Sequence, residues 1–131
     1  MRESWSRIFF AVAACSWMPH WSCHYYRLET GSSFVVGGWE FSKLDSAVSL
    51  VIYSAFIAIN LIAIVRLNWR RTTAILSGSL HLLIGGLHVF RLLKPFRFEV
   101  FGYQWPRAAS LREVFIVIPF GLLCLWMARE G

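Results

Sequence analysis

The chain has 131 residues, of which 57% are hydrophobic, 17% aromatic and 15% charged, with a formal net charge of +6. A soluble domain carries about 25% charged residues to cover its surface. Too few are present here, and they cluster between long uncharged intervals, which excludes an ordinary water-soluble domain and predicts an integral membrane protein. The positive balance is assigned to basic ends facing anionic lipid headgroups, with no nucleic-acid partner.

A bilayer core takes roughly 20 helical residues, and four intervals are read against that length. Ile8 to Tyr26 is free of formal charge between Arg7 and Arg27, though it contains Pro19, His20 and His24. Its opening, "MRESWSRIFFAVAAC", also has the basic start and small-residue end of a lipoprotein leader, but the segment is read as a retained helix. A polar, glycine-bearing loop from Arg27 to Asp45 follows. Ser46 to Val65 is the cleanest interval. The connection at Arg66 to Arg71 is tight, so the second and third spans are expected to be antiparallel neighbours. Thr72 to Phe90 is the third interval, followed by the largest loop, "RLLKPFRFEVFGYQWPRAASLRE". There "FRFEVFGY" alternates apolar with charged or small residues, as a hairpin or an extended strip on the membrane surface would. Val114 to Ala128 is short and borrows a turn from Leu111 to Glu113. The expected fold class is an all-α integral membrane protein. A single transmembrane domain, 1–131, holds a four-transmembrane-helix bundle with short loops and spans of about 8–26, 46–65, 72–90 and 112–128. No internal repeat is expected.

In lipid, small and polar residues mark the helix faces that touch protein. Ser46, Ser49, Tyr53 and Asn60 share one face of the second span. Ser77, His81, Gly85 and His88 share one face of the third, with Gly78 and Gly86 beside it to permit close approach. His20, Cys23, His24 and Arg27 share one face of the first. With four spans the first and third run in the same direction, so all four histidines fall in one half of the bilayer. Imidazoles are costly there without partners, and intramembrane ionisable groups are functional candidates.

His20, His24, His81 and His88 are therefore candidate cofactor-binding residues. "HLLIGGLH", residues 81–88, has the spacing H-x-x-x-G-x-x-H and resembles the haem-bearing helix of membrane-anchor subunits of succinate dehydrogenases. It departs from them in having Leu87 where an arginine usually stands, and four expected spans where those anchors have three. The resemblance implies haem b. A copper or zinc site from His20, Cys23, His24 and His88 is an alternative, since imidazole and thiolate suit both metals, and a quinone pocket or proton relay is another. Local hydrogen bonding of the histidines, with no ligand, is the plainest. The odd set of Cys15, Cys23 and Cys124 argues against a disulfide framework.

No carboxylate lies within the four charge-free intervals, and no hydrolase, zinc-protease or phosphate-loop motif occurs, so catalysis by side chains alone is not expected. The function expected is that of a small polytopic membrane subunit or accessory protein of a larger membrane complex. Its partners are membrane lipid and other membrane subunits or further copies of the chain. A haem- or quinone-binding electron-transfer anchor, or a small metal-handling or transport protein, are the alternatives. The compact cluster Arg66, Arg70 and Arg71 and the basic N-terminus place both termini on the cytoplasmic side.

Overall fold

The structure is a computed structural model describing residues 3–130, and it is 79% helical. Helix α1 (Glu3–Ser16) is followed by α2 (Met18–Thr30), then strands β1 (Phe34–Val36) and β2 (Trp39–Glu40). Helices α3 (Lys43–Val65) and α4 (Leu67–Leu93) follow, then β3 (Phe98–Val100), β4 (Tyr103–Gln104) and α5 (Arg107–Glu130). Three helices are long and apolar enough to cross a membrane, with mean hydropathy of 2.5 for α3, 1.5 for α4 and 1.9 for α5.

The interval read as one first span is two helices of 14 and 13 residues. Pro19 lies in the first turn of α2, where its missing N–H costs nothing, and the chain turns at Trp17. The break is shallow. Trp17 N donates to Ala14 O at 3.3 Å and Trp21 N to Trp17 O at 3.0 Å, so hydrogen bonding carries across it.

Local chemistry sets the other boundaries. Gly31, at φ 68°, closes α2 by donating its N–H to Arg27 O. Ser42 and Asp45 form a reciprocal capping box that starts α3. A single residue, Arg66, separates α3 from α4, and Arg70 turns back to donate to Ala63 O and Ile64 O.

The expectation of an all-helical chain is corrected by a four-stranded antiparallel sheet in the order β2-β1-β3-β4. "FRFEVFGY" does form a hairpin, β3–β4. The loop before α3, read as irregular, forms a second hairpin, β1–β2, because Gly37 at φ 65° supplies the turn between Val36 and Trp39. The two hairpins join through β1 and β3. The connectivity puts the sheet at one end of the helices. The start of α1, the Arg66 connection and the end of α5 lie at the other.

The expectation of no internal repeat is also corrected. An offset of 64 residues, the separation of His24 from His88, superimposes the whole element order on itself: α1–α2 on α4, β1 on β3, β2 on β4 and α3 on α5. Register repeats with it. Val35↔Glu40 and Val36↔Trp39 in the first hairpin become Glu99↔Gln104 and Val100↔Tyr103 in the second. Between hairpins, Phe34 pairs with Val100 and Val36 with Phe98, symmetrically about the central pair Val35↔Glu99. The chain is two copies of one motif related by an approximate two-fold axis through that pair.

The polar faces expected from the sequence point inward. Ser77, His81, Gly85 and His88 of α4 are buried, as are Ser46 and Asn60 of α3. Asn60 Nδ2 donates to Ser77 Oγ at 2.9 Å across the α3–α4 seam. Helices α4 and α5 meet through small residues: a Cβ on Gly78 would stand 2.9 Å from Gly121 O, and one on Gly85 2.5 Å from Ile118 Cγ1. Gly86, expected to permit close approach, faces open space instead.

Candidate functional site

The motif that recurs is a clamp at the foot of each hairpin. In the first half, Arg27 at the end of α2 reaches the start of α3. It donates from Nη1 to Ser42 O and Ser46 Oγ, both at 3.1 Å, and from Nη2 to Phe41 O. In the second half Arg91 donates from Nη1 to Pro106 O at 3.4 Å and Ser110 Oγ at 2.8 Å, and from Nη2 to Trp105 O. These Nη partners are 64-residue counterparts; the clamps differ at Nε, which in Arg91 donates to Phe96 O at 3.3 Å and in Arg27 is buried without a partner. Both arginines are buried, so each guanidinium exchanges water for backbone carbonyls that loop and helix start would otherwise leave unpaired.

The histidines one turn before these arginines complete the clamps. His24 Nδ1 lies 3.4 Å from Ser46 Oγ, and His88 Nδ1 lies 3.2 Å from Ser110 Oγ. Each ring packs on the aromatic residue that opens its hairpin, His24 on Phe34 with centroids 5.2 Å apart and His88 on Phe98 at 5.9 Å. Neither Nε2 has a hydrogen-bond partner among the described residues.

Between the two halves, beneath the sheet, lies a cavity of about 600 Å³. One wall is α2, with His20, Cys23 and His24, joined by Tyr53 of α3. His88 of α4 and Phe98, Phe101 and Trp105 of the second hairpin region face it, with Arg112 and Glu113 of α5 at the edge. Three of the four candidate histidines, and Cys23, border this one space. His20 Nδ1 is sealed within the protein, and its ring packs at a tilt against Tyr53, with centroids 5.4 Å apart, and Trp17 at 6.0 Å.

His81 stands apart. It does not line the cavity; its ring lies 4.0 Å from that of Trp17 and 4.9 Å from Phe120. Its Nδ1 is 2.7 Å from Ser77 O, an atom that only accepts, so this nitrogen is assigned the proton. Nε2 lies 3.2 Å from Ser16 Oγ, whose single proton is also directed at Ala13 O, at 2.7 Å. Both nitrogens have polar neighbours within the protein, and the side chain links α1 to α4. The H-x-x-x-G-x-x-H spacing does not bring its two histidines to one site.

His20, Cys23, His24 and His88 border the same space, yet among the described residues no three His, Cys, Asp or Glu side chains are grouped closely enough to hold a metal ion. The cysteines are unpaired thiols.

Outside the helices, the sheet holds one buried ionic group. Glu99 accepts from Ser33 Oγ and from Arg97 Nη2 at 2.5 Å. The Ser33 hydroxyl, then Arg97, hold its carboxyl below the ordinary glutamate range. Ser33 and Arg97 are themselves 64-residue counterparts, so this contact sits on the axis between the halves. Sequence reasoning missed the two clamps, Arg27 with Ser46 and Arg91 with Ser110, and separately missed Glu99. The shared pattern H-x-x-R at 24–27 and 88–91 was the available signal.

The fold and cavity define a small, mostly helical protein built from two like halves, with three helices long and apolar enough to cross a membrane. No known family, curated protein or solved structure matches the chain.

Proposed function

We propose that the protein is a small polytopic membrane subunit or accessory protein whose cavity between the halves, open on one side, holds a neutral, largely apolar small molecule. The observation that carries this reading is the cavity between the halves, walled by aromatic rings with a few converging polar groups, the usual make-up of a small-molecule site. Charge argues for a neutral occupant. Arg27 and Arg91 are spent on carbonyls, and Arg112 is paired with Glu113 at 2.8 Å, so no uncompensated cation faces the space.

In this reading α1 and α2 together make the first of four membrane crossings. Their positional counterpart, α4, is long and apolar enough to cross alone, and 28 residues at 1.5 Å each reach about 42 Å. The sheet lies at one membrane surface. The termini and the Arg66–Arg71 cluster lie at the other, assigned as cytoplasmic from that cluster. Lipid and further membrane subunits or copies of the chain are the partners, since the outer faces of α3 and α5 are apolar and exposed, with Val51, Val65, Phe115 and Ile116 on the surface.

The test is the content of the purified protein. Organic extraction followed by mass spectrometry is expected to yield a stoichiometric, neutral, lipid-soluble ring compound. A Soret band in the absorption spectrum would assign haem b in its place, stoichiometric copper or zinc would assign a metal, and a protein free of any small molecule and unable to take one up would overturn the reading.

A further inference from the structure

The two halves provide an internal control on charge. Residues 27–49 and 91–113 are 64-residue counterparts, and each stretch builds half of the sheet end of the molecule. The first carries two cations, Arg27 and Lys43, against three carboxylates, Glu29, Glu40 and Asp45, for a net charge of −1. The second carries five cations, Arg91, Lys94, Arg97, Arg107 and Arg112, against Glu99 and Glu113, for a net charge of +3. The same backbone forms at either balance, so the fold itself does not require the positive surplus. Two of the five cations are neutralised locally, Arg97 by Glu99 at 2.5 Å and Arg112 by Glu113 at 2.8 Å. Among the described residues no carboxylate pairs with Arg91, Lys94 or Arg107.

Arg91 and Arg107 line a second pocket, of about 250 Å³, with Gln104, Trp105 and the two prolines Pro95 and Pro106. No acidic side chain lines it. Arg91 is buried and its hydrogen bonds go to carbonyls and Ser110, so it contributes fixed charge. Arg107 is exposed and directs one of its five N–H donors at Leu92 O, leaving others free. Gln104 is exposed too, and its side-chain amide bonds to no described residue. The first half differs at this place. Glu40 stands where the second half has Gln104, and Gly31 and Ser42 stand where it has Pro95 and Pro106. The prolines restrict both segments that border the pocket, so less freedom is lost when something binds there. A missing carboxylate and two stiffened segments thus coincide with two guanidinium groups.

We propose that this pocket binds the phosphate of an anionic phospholipid headgroup, with Arg107 and Gln104 donating hydrogen bonds to its oxygens and Arg91 adding charge from within. The planar guanidinium of Arg107 suits the paired oxygens of a phosphate, and the anion supplies the counter-charge that both arginines lack. The membrane supplies the ligand. With the sheet at one membrane surface, the pocket lies at the level of lipid phosphates. Phe90 and Leu93, exposed in the last turn of α4, offer apolar surface to the acyl chains beside it. This rests on the membrane placement of the sheet and is independent of what fills the larger cavity.

The test is native mass spectrometry of the full chain released from detergent micelles, titrated with phosphatidylglycerol or phosphatidylcholine of the same acyl chains. Wild type is expected to retain one phosphatidylglycerol in preference to phosphatidylcholine, and to keep it in excess inorganic phosphate. Arg107→Gln should weaken phosphatidylglycerol binding about fivefold, the factor one basic residue contributes near an anionic bilayer. Gln104→Glu, which installs the residue of the first half and leaves every cation in place, should weaken it by a similar factor. Lys43→Gln removes the same charge at the counterpart position of Arg107 and should leave binding within about twofold. Equal losses in Lys43→Gln and Arg107→Gln would assign the attraction to diffuse charge and overturn the site. Binding unchanged in both Arg107→Gln and Gln104→Glu would overturn it too. Displacement of the lipid by inorganic phosphate keeps the phosphate site and overturns the lipid as its source. Wild type that floats with phosphatidylcholine vesicles, yet shows no preference between the two lipids, keeps the membrane placement and loses the site. Phosphatidylglycerol bound as expected to a protein whose cavity takes up no small molecule overturns the cavity reading alone.

Discussion

The two halves share a backbone and differ in what fills it. At the clamps they are the same: His24, Arg27 and Ser46 in one, His88, Arg91 and Ser110 in the other, with matching bonds. Along the helices they diverge. The first half sets the large Trp17 and Trp21 where the second has His81 and Gly85, and Ala14 where the second has Gly78. The glycines let α4 and α5 approach until backbone nearly meets backbone, whereas the position of Ala14 already accommodates a Cβ. One copy has become a tight helix pair, and the other, with its proline break and bulkier side chains, opens the wall that carries His20, Cys23 and Tyr53. In a duplicated fold the shared residues report the requirements of the architecture. The unshared polar ones answer to one half alone, as His81 does in linking α1 to α4 and Asn60 in bonding Ser77.

The largest effect is expected at the clamps, where the halves are most alike. Arg27→Leu and Arg91→Leu each leave buried carbonyls and a serine without a donor, and each should destabilise by about 2–4 kcal/mol. Unfolding of the purified variants in mixed micelles measures this; a large loss from one with none from the other would break the equivalence. Next comes the contrast along α4. Gly78→Ala meets the Gly121 carbonyl and the Cys124 Cβ, and should cost about 1–3 kcal/mol by overpacking. Gly86→Ala meets nothing and should be neutral or stabilising through helix propensity, by up to about 1 kcal/mol. Equal effects at the two positions would contradict the close α4–α5 seam.

Smaller again is the seam between the halves. Asn60→Leu removes the bond to Ser77, and polar pairs of this kind within membranes are worth about 0.6 kcal/mol and up to about 1.7. The same protection of Ser77 from labelling in variant and wild type would show that packing alone holds the seam. The smallest effect concerns Glu99, which occupies the counterpart position of Val35. Its folded-state carboxyl titrates below the ordinary value near 4.5, so its contribution is full above that value and fades as pH falls through the lower one. Glu99→Val should flatten the dependence of melting temperature on pH below about 4.5. A variant that keeps the full acid sensitivity would place its origin elsewhere.

Much of the helical pattern was legible along the chain because burial in lipid rewards long apolar runs, a local property. Ser46–Val65 and Thr72–Phe90 fall within α3 and α4, and α5 extends the short Val114–Ala128 interval by the turn it borrows and more. The inward faces of α3 and α4 followed from helical period, and β3–β4 from two-residue alternation. The first span was less legible, since charge-free length does not reveal where Pro19 restarts a helix.

The sequence by itself determined that this chain is a set of apolar helices with polar inward faces and that imidazoles gather at one level, because hydropathy and period are read residue by residue. Only the tertiary structure decided which imidazoles share a space. It put His81 in a bond network of its own and set His20, His24 and His88 around one cavity. It also decided that β1 pairs with β3 and that the chain is doubled, because the recurrence survives at a few scattered positions such as Phe34/Phe98, Gly38/Gly102 and Ser46/Ser110. Between them one apolar residue replaces another freely, since lipid and core reward hydrophobicity with little regard to identity, and a repeat written in so few residues becomes visible only when their bonds are seen to match.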